Sequence, residues 1–331
     1  MFRRVRNFVS RHPKKLAAVA VVAAGAVAWR YAKRRLIEWQ EKESERLIES
    51  ARRQAHFEAT MRTADAAIEA LGVSVAQRIC QCLDTEDVIA QLDANRDKKG
   101  PEWREAWTQL KILVVSRAVA LVYCESILTV LMRVHLAAVA GHSAQGAAIE
   151  EAHLAPCQNF ASAGVTLICK TVLAAVENSD DVAALSLGQK VSLEKLEQVL
   201  WSVQTLLAEE DPLQDLPSLA VSGPVTLETA EVAALQTEAA EVLRSSEVWT
   251  VSSSCVSRGL AFTVDQVASA YVGQQASVPL AKVVPVLKKL PQRPNGHVTF
   301  LSVLLADEKL KSLAANVYEA FASQPAATQA E

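Results

Sequence analysis

The middle of this chain limits its fold more than any other part. From Pro101 to Gly141, PEWREAWTQLKILVVSRAVALVYCESILTVLMRVHLAAVAG has no internal glycine or proline and is the most apolar stretch of the sequence. Proline suits the first turn of a helix and glycine its end, so the two residues read as start and stop of one helix about 60 Å long. A helix this long and apolar belongs either in a bilayer or at the centre of a bundle. Lys111, Arg117, Glu125 and Arg133 interrupt it, so no charge-free run approaches about 18 residues, and charges in mid-bilayer are costly. The spacing therefore predicts the central helix of a bundle, with Arg117 held by an acid or a carbonyl of a neighbouring helix.

The rest of the sequence agrees with that architecture. Residues 34–71 form an unbroken helical pattern up to Gly72. Its first half is charged, with Glu38/Lys42 and Glu49/Arg53 at i,i+4 in the favourable order, and reads as a solvated stalk. Its second half carries Ala55, Ala59, Ala64, Ala67, Ile68 and Leu71, an apolar stripe entering the bundle. Further helical patterns lie near 157–177, 192–209, 226–244, 247–271, 299–306 and 308–322. Between them, breaks fall at 95–101, at 209–226 (Pro212, Pro217, Gly223, Pro224) and at 285–296 (Pro285, Pro291, Pro294, Gly296). No repeat and no alternating, strand-like run occurs. With half the residues hydrophobic and 21% charged, the chain can bury a large core, and the fold class is all-α.

The N-terminus adds a possible membrane segment. Arg3, Arg4, Arg6, Arg11, Lys14 and Lys15 precede an apolar run from Leu16 to Ala32, interrupted only by Arg30; Lys33, Arg34 and Arg35 follow, and the first acid is Glu38. About 17 residues span roughly 26 Å, enough for a thin bilayer if Arg30 reaches outward to the headgroups. A secretory signal cleaved at Ala26-Val27-Ala28, a mitochondrial presequence and a buried helix compete with this anchor. The dense positive charge after the run opposes the first, and the continuous rather than amphipathic character opposes the second. Charge alone leaves the orientation open.

Candidate chemistry is sparse. Gly-x-Gly-x-x-Gly, the phosphate-binding loop, His-Glu-x-x-His, Gly-x-Ser-x-Gly and paired Cys-x-x-Cys are all absent, which removes the usual signals for nucleotide, zinc-hydrolase and redox enzymes. The six histidines never occur at i,i+4, so neither a metal nor another cofactor is expected. Cys80, Cys82, Cys124, Cys157, Cys169 and Cys255 are scattered, and together with the absence of an Asn-x-Ser/Thr sequon they read as reduced thiols of a cytosolic domain. A net charge of −3 gives no general attraction to nucleic acid. What remains is recognition. Trp103 and Trp107 stand i,i+4 on one helix face after the Gly-Pro loop, with Leu110 and Lys111 continuing it. They are either core anchors or an exposed aromatic site for a partner's amphipathic helix, and periodicity does not separate the two.

Several segments resemble the peroxin-3 family: MFRRVRNFVSRHPKK at the start, ARRQAHFEATMRT at 51–63, WTQLKILVVSRAVALVY at 107–123, LMRVHL at 131–136, VPLAKVVPVL at 278–287 and LAANVYEAF at 313–321. The resemblance implies residues 1–15 on the peroxisomal matrix side, a single transmembrane anchor at 16–32 in the peroxisomal membrane, and a cytosolic helical bundle over 33–331. It also implies that the bundle docks peroxin-19, the chaperone that delivers new peroxisomal membrane proteins, by receiving its N-terminal amphipathic helix. Trp107 matches the family's central contact, with Leu110 and Lys111 beside it and Leu92 on the preceding helix. At Trp103 the family pattern has a basic residue, for which Lys98 or Lys99 is the substitute. Peroxisomal membrane lipids are the other expected partner; no enzymatic activity, small-molecule substrate or nucleic acid is expected. The competing reading is a membrane-anchored scaffold or tether of another organelle, mitochondria first.

Overall fold

The stretch from Pro101 onward is one helix. In the computed structural model, which describes residues 13–95, 100–143, 154–186, 188–220, 230–271, 277–292 and 299–323, four helices open the chain: α1 (Pro13–Cys82), α2 (Glu86–Ala94), α3 (Pro101–Ser143) and α4 (Ala155–Asn159). A π-turn at Phe160–Gly164 joins α4 to α5 (Val165–Glu177), and α6 (Asp180–Ala183) and α7 (Leu193–Leu207) follow. After them come α8 (Leu216–Ala220), α9 (Ala230–Leu243), α10 (Ser246–Ala268), α11 (Leu280–Lys289), α12 (Phe300–Leu305) and α13 (Glu308–Ala322). Two strands of two residues each, β1 (Lys190–Val191) and β2 (Val278–Pro279), pair antiparallel, a pairing too short to leave an alternating pattern in sequence. The fold is all-α.

Every residue of α3 from Val114 to Gly141 is buried, because α2, α5, α9, α10, α11, α12 and α13 all pack on it. Protein rather than lipid surrounds this helix, although by length and composition alone it is apolar enough to cross a membrane, as is the stretch Ala155–Glu177.

Two buried arginines on α3 fix its register against α1. Arg117, 1% exposed, donates to the carbonyls of Cys80 (3.0 Å), in the last turn of α1, and Leu83 (2.6 Å), just past its end, where no further helical amide is available to them. The Asp84 carboxylate stands 3.9 Å away. About 24 Å further along α3, Arg133 pairs with Asp65 at 2.5 Å. The two contacts run in opposite chain directions, so α1 and α3 are antiparallel neighbours.

The helix α1 differs from the sequence expectation at two points. It continues through Gly72 to Cys82; the glycine serves close packing, since a Cβ there would meet Leu301 Cδ2 on α12 at 2.6 Å. Its buried stripe is Met61, Ala64, Ile68, Val75, Ile79 and Leu83, spaced three, four or seven residues apart, while Ala55 and Ala59 are exposed. Packing begins at Phe57, whose ring lies 5.4 Å from that of Tyr318 on α13. The chain divides there into two compact units, Met1–His56 and Phe57–Glu331. In the first, described side chains from Trp29 onward are almost all exposed, and Glu49 pairs with Arg53 at 3.2 Å. Residues 1–12, and the side chains of 13–28 and of Ala32, lie outside the described part, so the basic N-terminus and most of the expected anchor are not characterised beyond the helical backbone from Pro13.

Local signals set the later helices. Ser192 and Ser245 accept amide hydrogen bonds from Lys195 and Val248, Thr299 and Ser302 cap each other reciprocally, and Asp307 accepts from Lys309 and Leu310. The expected break at Pro285 is absent: Pro285 lies inside α11, where burial of Leu280, Val283, Val284 and Leu287 outweighs one lost hydrogen bond. All six cysteines are free, and Cys124, Cys157, Cys169 and Cys255 are buried. Burial pushes the Cys157 and Cys255 thiols up to about 12, keeping them protonated. Cys82, by contrast, is exposed and Cys80 partly buried.

Gly141 lets α13 cross the end of α3 closely. A Cβ at this position would lie 2.6 Å from the Tyr318 carbonyl and 2.8 Å from Phe321 Cβ, and backbone cannot yield as a side chain does. Gly141→Ala is expected to destabilise the fold by about 1–3 kcal/mol despite alanine's better helix propensity. A thermal unfolding comparison checks this; an unchanged or raised Tm refutes it.

Candidate functional site

The first three turns of α3 carry the aromatic pair. Trp103 and Trp107, four residues apart on the helix, meet edge to face with centroids 6.4 Å apart and planes at 90°. Both are half-buried. They line a groove of about 640 Å³ whose other walls come from distant parts of the chain: Val176 and Glu177 at the end of α5, Val182 and Ala183 on α6, Leu185, Ser186 and Gly188 after it, and Leu280 at the start of α11. The β1–β2 ladder holds the last two walls together, with Lys190 opposite Pro279 and Val191 opposite Val278. The Leu280 amide donates to the Gln189 carbonyl (3.1 Å), and the Tyr271 hydroxyl donates to the Val191 carbonyl (2.9 Å).

Lys111, one turn beyond Trp107, also lines the groove, but not as a free charge at its rim. It is 6% exposed, and its Nζ donates to the carbonyls of Leu185 (2.9 Å) and Ala183 (3.4 Å). Burial lowers the pKa of its ammonium. Its role here is to pull the turn after α6 against α3 and so shape one wall.

Of the residues singled out from sequence, the structure brings Trp103, Trp107 and Lys111 into one groove. Leu110 does not join them. It is 6% exposed and belongs to the core, as do Ala106 and Val114 on the same helix. Leu92 on α2 is half-buried, packs against the core and is not part of the groove lining. Lys98 and Lys99 lie outside the described residues. Ile112, Val182, Leu185 and Leu280 are walls that were not singled out from sequence; Ile112 and Leu280 fell in segments that had drawn notice, WTQLKILVVSRAVALVY and VPLAKVVPVL. Among the described residues no cluster of three or more His, Cys, Asp or Glu side chains is arranged to hold a metal.

The arrangement suits recognition: two large aromatic faces and apolar walls from Ile112, Val176, Val182, Leu185 and Leu280, with Arg104, Thr108, Lys111, Glu177 and Ser186 as the polar part of the lining, in a groove wide enough for the apolar side chains of a helix. The protein is thus an all-α bundle around one buried helix, with an aromatic groove where that helix begins. No family model matches the chain. It is 26% identical to "Peroxisomal biogenesis factor 3" of Rattus norvegicus, Bos taurus and Homo sapiens, over 98% of this chain and 98% of each relative. This end-to-end correspondence supports its membership of the peroxisomal biogenesis factor 3, or peroxin-3, family.

Proposed function

We propose that this chain acts in peroxisome biogenesis as a membrane-anchored docking receptor for peroxin-19, and that the groove of Trp103 and Trp107 receives an amphipathic helix of that partner. The relatives' shared name supports the role in peroxisome biogenesis. That name is a biogenesis factor's rather than an enzyme's, and it does not favour a tether on another organelle. The observation that carries the docking reading is the half-buried tryptophan pair in a preformed groove. A ring packed edge to face against its neighbour is already ordered, so a partner that covers it gains apolar burial at little cost in side-chain entropy. Delivery of newly made membrane proteins to the peroxisome follows from holding their carrier at the membrane. Titrating the full chain in nanodiscs with peroxin-19 tests the reading: saturable binding that an isolated N-terminal helix of peroxin-19 competes away supports it, and absence of binding rejects it.

In this proposal residues 1–15 face the matrix, 16–32 span the bilayer and the bundle is cytosolic. The full chain is then expected to remain with membranes after alkaline carbonate extraction, while a chain starting at Arg46 is released to the supernatant. Retention of the shortened chain as an integral protein would show that another apolar helix, α5 or α3, meets lipid.

A further inference from the structure

Four charged residues lie along the deep part of α3, and three are engaged within the chain: Lys111 and Arg117 by carbonyls, Arg133 by Asp65. Glu125, unlike Arg117 and Arg133, has no opposite charge beside it. It is 7% exposed, and its Oε2 has no hydrogen-bond partner, as is also true of Arg117 Nη1 and of Arg133 Nε and Nη2; the Leu301 amide is the one donor that favours its charge. A buried polar atom left unpaired is costly, so its persistence calls for a reason.

Glu125 lines a second groove, of about 970 Å³, separate in its lining residues from the tryptophan groove. One face of α1 forms a side of it, with Val73, 59% exposed, at the margin. Leu121, Phe262 and Phe300 are among its apolar lining, and Gln77, Gln81 and Gln292 offer amides suited to a peptide backbone. Among the described lining residues two are acidic, Glu69 and Glu125, and none is basic. We propose that this groove is a second docking site, for a peptide segment that presents a single Lys or Arg on an apolar face and seats that cation against Glu125. The apolar walls take the neighbouring side chains, and the charge sets specificity.

The site carries a proton signature. Burial pushes the Glu125 carboxyl up to about 8, so at neutral pH it is protonated in the empty groove. Seating a cation favours the carboxylate, so binding below about pH 8 releases a proton and affinity rises with pH until it flattens above that value. The titratable groups lining the groove beside it are Glu69 and Cys80 on α1; the described lining residues of α10, of residues 290–292 and of α12 include none.

The test uses the full chain in nanodiscs and a series of fluorescent, Leu- and Ala-rich amphipathic peptides with one Lys moved through successive apolar-face positions, each paired with a Gln analogue. At pH 8.5 at least one Lys peptide is expected to bind tenfold or more tighter than its Gln partner and to weaken at pH 6. Glu125→Gln should remove both the preference and the pH dependence, while Trp107→Ala leaves them intact, separating this site from the docking reading above. If Glu125→Gln does not fold, Val73→Lys at the exposed margin places a competing cation and is expected to weaken the Lys peptide at least fivefold. The proposal is overturned by no binding at millimolar peptide, by equal binding of Lys and Gln peptides, or by n-hexylamine saturating a site that no peptide enters.

Discussion

Replacing Trp107 with alanine is expected to lower affinity for peroxin-19 by about 30- to 1000-fold, the roughly 2–4 kcal/mol typical of a central aromatic anchor. The same substitution costs the free protein only about 2 kcal/mol of stability, because the indole is half-buried before any partner arrives. Leu110 supplies the contrast one turn away. Leu110→Ala empties a core position and is expected to cost about 2–5 kcal/mol of stability with little change in affinity once the protein is folded. Measuring thermal unfolding and peroxin-19 affinity on both variants separates groove from core. If Trp107→Ala binds normally and melts far lower, Trp107 is a core residue and the docking site lies elsewhere. Lys111 differs from a rim charge in the same experiment: its ammonium is committed to the Leu185 and Ala183 carbonyls, so Lys111→Ala should reduce stability and leave the salt dependence of binding unchanged.

Arg117→Ala is expected to be among the most damaging single changes in the bundle, at about 3–5 kcal/mol. It strands the Cys80 and Leu83 carbonyls, each worth roughly 1–3 kcal/mol when buried without a donor, and removes the packed side chain that fills the space between α1 and α3. For a domain of this size the Tm should fall by roughly 6–20 °C. Asp84→Ala is the control: its carboxylate is half-exposed and 3.9 Å away, so its removal should cost less than about 1 kcal/mol. If the two variants melt alike, the carbonyl contacts do not hold the helix end. Neither change should release the full chain from membranes.

The same arginine illustrates what was legible in sequence. A guanidinium on an otherwise apolar helix has to find acceptors, so Arg117's need for a carbonyl or acid was legible in sequence, as was the start of α3 at Pro101; the expected end at Gly141 did not hold, since the helix continues to Ser143 and the glycine instead serves the close crossing of α13. What sequence did not carry is what depends on neighbours. Gly72 and Pro285 have local preferences for ending helices, but close approach of Leu301 in one case and burial of an apolar face in the other decided against those preferences. The groove was half legible for the same reason: Trp103 and Trp107 announce themselves on one helix face, whereas Leu185 and Leu280 become walls only through a ladder two residues long between segments about 90 residues apart.

That dependence on distant segments has a consequence for synthesis. Trp103 and Trp107 leave the ribosome early, yet their groove is closed on one side by Leu280, held through β2. At 5–20 residues per second, roughly 10–35 s separate the emergence of Trp107 from that of Leu280. During that interval the nascent chain carries the tryptophans without the surface that makes them a site. A polypeptide terminated near residue 270 would keep its N-terminal apolar segment and most of its core residues yet lack the finished groove. If the groove is the docking site proposed above, competence to dock is acquired only when the chain is nearly complete, and prematurely ended copies would not engage the partner.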